Sequence, residues 1–125
     1  GAPADAEKVF SIGATNKSNE RVAFSSVGPT SDGRIKPNVM ALGSYSAVIN
    51  SSGSVSNASG TSFSSPIMCG ALACLMQKHK YLKPELIMRA VEASSNNAAN
   101  PNGEMGYGIP DFTKADKLLS EKKKR

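Results

Sequence analysis

Gly60-Thr61-Ser62-Phe63-Ser64-Ser65-Pro66 joins a serine-rich stretch to a long apolar run, and the residue types at that junction suit nucleophilic chemistry. The first backbone N–H groups of a helix have no partner within it. The helix dipole adds positive potential at the same end. A serine placed there finds donors ready for the oxyanion that forms when its hydroxyl attacks a carbonyl. Gly60, lacking a Cβ, would let a substrate backbone come close. The same spacing makes a plain serine or threonine N-cap, and spacing alone favours that simpler role.

A base is harder to find. The only histidine, His79, follows Ser62 by 17 residues. On one continuous helix that is ~25 Å along the axis, against the roughly 3 Å at which a general base works. His79 therefore reads as a residue at a helix C-terminus, where the dipole favours a cation. Asp5, Asp32, Asp111 and Asp116 then have no base to orient. Other nucleophile patterns fit worse. A Gly-x-Ser-x-Gly elbow fails because Ser64 stands at its last position. Ser120 and Lys123 make a Ser-x-x-Lys inside a charged tail. No Cys/His cluster has metal-ligand spacing, so no metal ligand and no cofactor is assigned. Asn16, Asn50 and Asn57 each begin an Asn-x-Ser, a pattern too short to carry weight.

The elements that must position Ser62 follow from hydrophobic patterning. Val9–Ala14 reads as a buried strand, and Arg21–Phe24 alternates as a second. Asn38–Ala41, Tyr45–Ile49 and Ser54–Asn57 are further short strand candidates, separated by Gly and Ser turns. Ser62–His79 is apolar nearly all round from Ile67 to Met76, which predicts a helix buried on every face, with Pro66 in its first turn. Lys83-Pro84-Glu85 opens a second helix ending before Ser94, and Asp111 caps a third through Leu119. Short strands followed by helices predict an α/β fold.

Composition bounds the function classes. The chain has 125 residues, 39% hydrophobic and 20% charged, enough for a packed core in one domain or part of one. Aromatics are 6% and Trp is absent, which argues against an RNA-stacking surface. No apolar run approaches the ~20 residues of a membrane span, and Gly1–Asp5 lacks the features of a signal peptide. The net charge of +5 collapses once located: Lys122–Arg125 hold four positive charges, leaving residues 1–120 with 11 basic and 9 acidic side chains. Residues 1–120 are thus one unit and 121–125 a solvated basic tail, with neither nucleic acid nor membrane expected as a partner. Cys69 and Cys74 sit ~140° apart on a helix, too far to bridge, and read as two small buried thiols.

The whole string GTSFSSPIMCGALACLMQ resembles the active-serine segment of the subtilases, the subtilisin-like serine peptidases. Their pattern runs Gly-Thr-Ser-x-(Ala or Ser)-x-Pro into a small, apolar, buried helix. The likeness extends through residues 3 to about 119. VFSIGATNKSNERVAFSSVGPTSDGRIKPNVMALG is similar to the family's preceding stretch, and GYGIPDFTKADKLL to the Gly-Tyr-Gly segment and closing helix. The form GTSFSSP with GYGIPDF downstream is similar to subtilases of Bacteroidetes-type bacteria. Leu42 stands where the family usually has Pro, a departure confined to a loop.

The resemblance implies part of a three-layer α/β/α fold with a mainly parallel sheet. Residues 1–120 would be the C-terminal portion of a catalytic domain. Ser62 matches the nucleophile and its N–H one oxyanion donor; Gly60, Thr61 and Phe63 match substrate-lining positions. The parent would be a serine endopeptidase, cleaving peptide or protein substrates through an acyl-enzyme on Ser62, secreted or in the cell envelope. The family's Asp, His and oxyanion Asn precede the matched region. This chain alone is therefore expected to be inactive, to need the N-terminal half as partner, and to associate with itself through surfaces that half would cover. Related enzymes bind calcium in the general area of Pro3–Val9. The competing reading is a non-catalytic subtilase-like interaction or structural module; an esterase of another fold lacks its second elbow glycine.

Overall fold

The computed structural model describes residues 1–122, apart from the side chain of Lys122, so Lys123, Lys124 and Arg125 of the basic tail lie outside the described residues. Seven elements follow in order: β1 (Ile12–Thr15), β2 (Val39–Leu42), β3 (Ser46–Ile49), β4 (Val55–Ala58), α1 (Thr61–Lys78), α2 (Pro84–Ser94) and α3 (Phe112–Lys122). β1 and β2 pair in parallel, Ile12 opposite Val39 and Thr15 opposite Leu42. β3 and β4 form an antiparallel hairpin with Ile49 opposite Val55. Its turn is built by Asn50, whose Oδ1 accepts the N–H groups of Ser52 and Ser54, each at 3.0 Å.

The parallel pair carries the core. Val39 and Met40 are fully buried, Ala41 nearly so. α1 lies across both strands, and α2 and α3 pack on each other beside it. Val39, Ala41, Met68, Leu75, Ile87, Val91, Ala115 and Leu119 form one cluster. α2 is amphipathic, burying Ile87, Ala90, Val91 and Ser94. α3 begins where Asp111 Oδ1 accepts the Lys114 N–H at 2.9 Å, the cap its sequence predicts. The far edge of β2 is covered by the Gly-Tyr-Gly segment: Tyr107 N–H donates to Asn38 O at 2.8 Å and Met40 N–H to Gly108 O at 2.9 Å.

Three expectations are corrected. Arg21–Phe24 is not a strand; it touches β1 only through a bridge between Arg21 and Thr15. The Arg21 guanidinium donates to the carbonyls of Val22 and Ser25 and curls the segment back. The curled segment caps part of the outer edge of β1, where Ala14 N–H donates to Ser25 Oγ at 3.0 Å and Val22 N–H to Ala14 O at 3.1 Å. Second, α1 is not buried all round. It buries Ser64, Met68 and Leu75, while Ile67 is 48% exposed. Third, Cys69 and Cys74 are exposed thiols on that open side. The apolar pattern specified what the helix can tolerate against it, and only one of its faces meets a partner among the described residues.

Candidate active site

Ser62 is held by a chain of backbone contacts that begins in the parallel pair. Thr15 at the end of β1 accepts the Gly43 N–H at 2.9 Å, and Gly43 in turn accepts the Gly60 N–H at 2.7 Å. A Cβ on Gly43 would fall 2.6 Å from the Ala14 Cβ and 2.9 Å from the Gly60 carbonyl, so only glycine lets the two segments approach. The hairpin adds a second tether, Ser59 Oγ accepting the Tyr45 N–H at 3.0 Å. β4 thus delivers the chain to Gly60 at a fixed point above β1 and β2.

Gly60, not a serine or threonine, is the N-cap residue of α1, at φ 152°. That value lies in the region that disfavours side chains. Among the described residues no side chain caps the helix, and no acidic residue stands in its first turn. The positive end of the dipole is therefore unopposed locally. Thr61 and Ser62 are the first two helical residues, and Phe63 N–H bonds back to Gly60 O at 3.0 Å. Ser64 is turned inward, its hydroxyl donating to Thr61 O at 3.0 Å. Ser62 is exposed, and among the described residues no hydrogen bond occupies its hydroxyl. Pro66 is the sixth residue of α1 rather than part of its first turn. Its ring nitrogen cannot donate to the Ser62 carbonyl four residues back.

Beside Thr61 a cavity of about 280 Å³ opens between the start of β1 and residues 26–31, with Ser11, Gly13, Gly28 and Lys36 in its walls. Thr30 at its rim belongs to a small polar knot in which Asp32 accepts from the Arg34 Nε at 2.9 Å. The Arg34 and Thr30 hydrogen bonds hold the Asp32 carboxyl at about 2. Of the sequence-selected residues, Gly60, Thr61, Ser62 and Phe63 are thus brought together at one helix start. Phe63 lies against Gly60, where an added Cβ would touch its ring at 3.6 Å.

His79 stays apart. It is the C-cap residue of α1, its N–H bonded to Leu75 O at 2.8 Å. Its ring is buried and its Nε2 meets Asp116 Oδ1 at 2.7 Å; the second oxygen of Asp116 accepts from Lys78 at 2.6 Å. Lys78 first, then His79, holds the Asp116 carboxyl below the usual carboxylate range. A His–Asp pair exists, but at the opposite end of the helix from Ser62. Sequence reading missed a third polar cluster, Ser11, Lys36, Asn38 and Glu92. Its signal was a lysine within an otherwise apolar strand approach, Ile35-Lys36-Pro37.

The fold and the serine-bearing turn define an α/β chain of the subtilisin-like class. The subtilase family profile matches residues 1–108, and the chain belongs to that family. It is 30% identical to the mouse membrane-bound transcription factor site-1 protease over 97% of this chain and 12% of that protein. It is 33% identical to pyrolysin of Pyrococcus furiosus over 81% of this chain and 8% of that one. Among solved structures it is similar to the CspB protease of Clostridium perfringens, with a TM-score of 0.86 and 28% identity over 96% of this chain and 28% of that chain. The self-cleaved protease domain of PatA shares the fold at a TM-score of 0.79, this chain spanning 44% of it. The chain therefore spans an eighth or less of these curated relatives and under half of these solved ones.

Proposed function

We propose that this chain is the nucleophile-bearing portion of a subtilisin-like serine endopeptidase. The carrying observation is Ser62: exposed, free of hydrogen bonds among the described residues, and set on an uncapped helix start that follows a positive-φ glycine. Its hydroxyl would attack the peptide carbonyl, forming an acyl-enzyme and releasing the amine, and water would then release the acid. The Ser62 N–H, in the first turn of the helix, would serve as one oxyanion donor. Gly60, Thr61 and Phe63 line the substrate, with the cavity beside Thr61 suited to a substrate side chain. The proton on Ser62 needs a base, and His79 is committed elsewhere.

That base and its Asp come from a complementary portion, the partner this reading requires. The open side of α1, from Ser62 through Cys69 and Ala73, carries no charge and is the surface it would cover. Left alone, the same surface favours self-association of this chain. Action would be outside the cytoplasm or at the cell envelope; no helix among the described residues is long and apolar enough to cross a membrane. The test is turnover of a peptide substrate and labelling by a fluorophosphonate, for this chain and for the whole catalytic domain. The whole domain should react, and Ser62→Ala should cost about 10⁶ in kcat with the fold intact. This chain alone should do neither. A whole domain that neither turns over nor labels would favour the alternative, a non-catalytic interaction or structural module, which the lack of a base near Ser62 also fits.

A further inference from the structure

Related enzymes bind calcium in the general area of Pro3–Val9, and the residues present there do not fit a metal. The carbonyl of Val9 and Oδ1 of Asn38 converge on one point, as hard oxygen ligands for a cation would. That point is already filled by Nζ of Lys36, which donates to Val9 O and, at 2.9 Å, to Asn38 Oδ1. Lys36 is buried, 8% exposed. We propose that the Lys36 ammonium is the resident cation of this fold, replacing a metal ion in pinning the 3–9 segment to the start of β2.

Four observations support this assignment. Asn38 is a junction: its Oδ1 also accepts from Ser11 N–H at 2.9 Å and Ser11 Oγ at 3.1 Å, and its Nδ2 donates to Glu92 Oε1 at 2.8 Å. Through it, one buried charge ties the 3–9 segment, β2 and α2 together. The 3–9 segment has only short turns of its own, Ala6 N–H to Pro3 O at 3.0 Å and Val9 N–H to Ala6 O at 3.2 Å. It needs an outside anchor. The nearest carboxylate of the cluster, Glu92, is occupied by Asn38, and among the described residues no group of three or more His, Cys, Asp or Glu could hold a metal. Calcium asks for six to eight oxygens, and a divalent ion here would also face the ammonium across hydrogen-bond distance. Burial, and next Arg34, lowers the pKa of Lys36, the ordinary cost of placing a charge out of water.

The decisive measurement is thermal unfolding of this chain in EDTA and in calcium chloride, with calcium titration calorimetry. Wild type should unfold at the same temperature in both and give no binding heat. Lys36→Met, which keeps the stem and removes the charge, should unfold several degrees lower in both. Lys36→Glu supplies the missing carboxylate; it should be the least stable in EDTA and recover saturably with calcium. The proposal fails if wild type gains stability saturably with calcium and Asn38→Ala abolishes that gain. It also fails if Lys36→Met unfolds at the wild-type temperature, a result that stands even where Lys36→Glu does not fold.

Discussion

At its first turn α1 presents Ser62 to solvent, its hydroxyl unoccupied and its start uncapped among the described residues; at its last it buries His79 against Asp116, which Lys78 also contacts. One end has no side-chain cap among the described residues; at the other, Lys78 and the His79 ring both meet the Asp116 carboxylate. The contrast shows that residue types alone do not identify a catalytic pair. A histidine and an aspartate at 2.7 Å look like part of a triad, yet about 25 Å of helix separates them from Ser62. They act as a clasp for α3. On the proposed reading, the Ser62 end is left uncapped because a cap would occupy the donors that the chemistry needs.

The largest effect that would break this contrast lies between the two ends. Leu75, 6% exposed, sits in the core cluster with Ile87 and Leu119. Leu75→Ala should cost about 2–5 kcal/mol in a urea or thermal titration. In dilute solution, where the chain is monomeric, Ile67, 48% exposed, should cost under about 1 kcal/mol on the same change, because little of it leaves water on folding. Equal losses would mean that α1 is covered on its open side in solution, by a second copy or by rearrangement.

A smaller effect is expected at the clasp. Asp116→Asn keeps the shape and removes the charge that Lys78 and His79 share, so it should destabilise less than Leu75→Ala. It should also change the acid limb of stability. The folded carboxyl lies below its ordinary 3.8, so Asp116 supports the fold fully above that value and the support disappears as pH falls through the lower folded value. Wild type should lose stability over that acid window, and Asp116→Asn should show a shallower loss. Indistinguishable acid limbs would show that the pair does no more than two solvated side chains.

Much of this was legible in the residues. Strand spacing placed β2, β3 and β4 to within a residue or so, because Gly and Ser turns bracket them. Lys83-Pro84 and Asp111 marked two helix starts, since proline at the first turn and an acidic cap act locally. What failed depends on distant partners. Arg21–Phe24 alternates like a strand, but the guanidinium of Arg21 finds the Ser25 carbonyl four residues away and curls it. Ile67, Cys69 and Cys74 read as core because apolarity reports what a face can accept, not what lies against it. At the candidate site, the glycine–serine grammar singled out Ser62, while the identity of the cap did not follow from spacing. Serine and threonine are the common caps, and Gly60 takes the position through a backbone angle visible only in three dimensions.

The smallest expected effect is the stability change on Ser62→Ala, and it sharpens the comparison most. If Ser62 were a structural cap, its loss would leave a buried or half-buried N–H without an acceptor and cost about 1 kcal/mol. In the structure its side chain accepts from and donates to nothing among the described residues, and it is exposed. Alanine also has the better helix propensity, by up to about 0.5 kcal/mol. The expected outcome is therefore a change within about 0.5 kcal/mol, with any shift toward greater stability. His79→Ala, at the other end of the same helix, removes a buried ring and its bond to Asp116 and should unfold at a clearly lower temperature. Parallel thermal titrations of the two variants decide the matter. A loss at Ser62 comparable to that at His79 would make the serine a structural residue and remove the physical ground for reading it as a nucleophile.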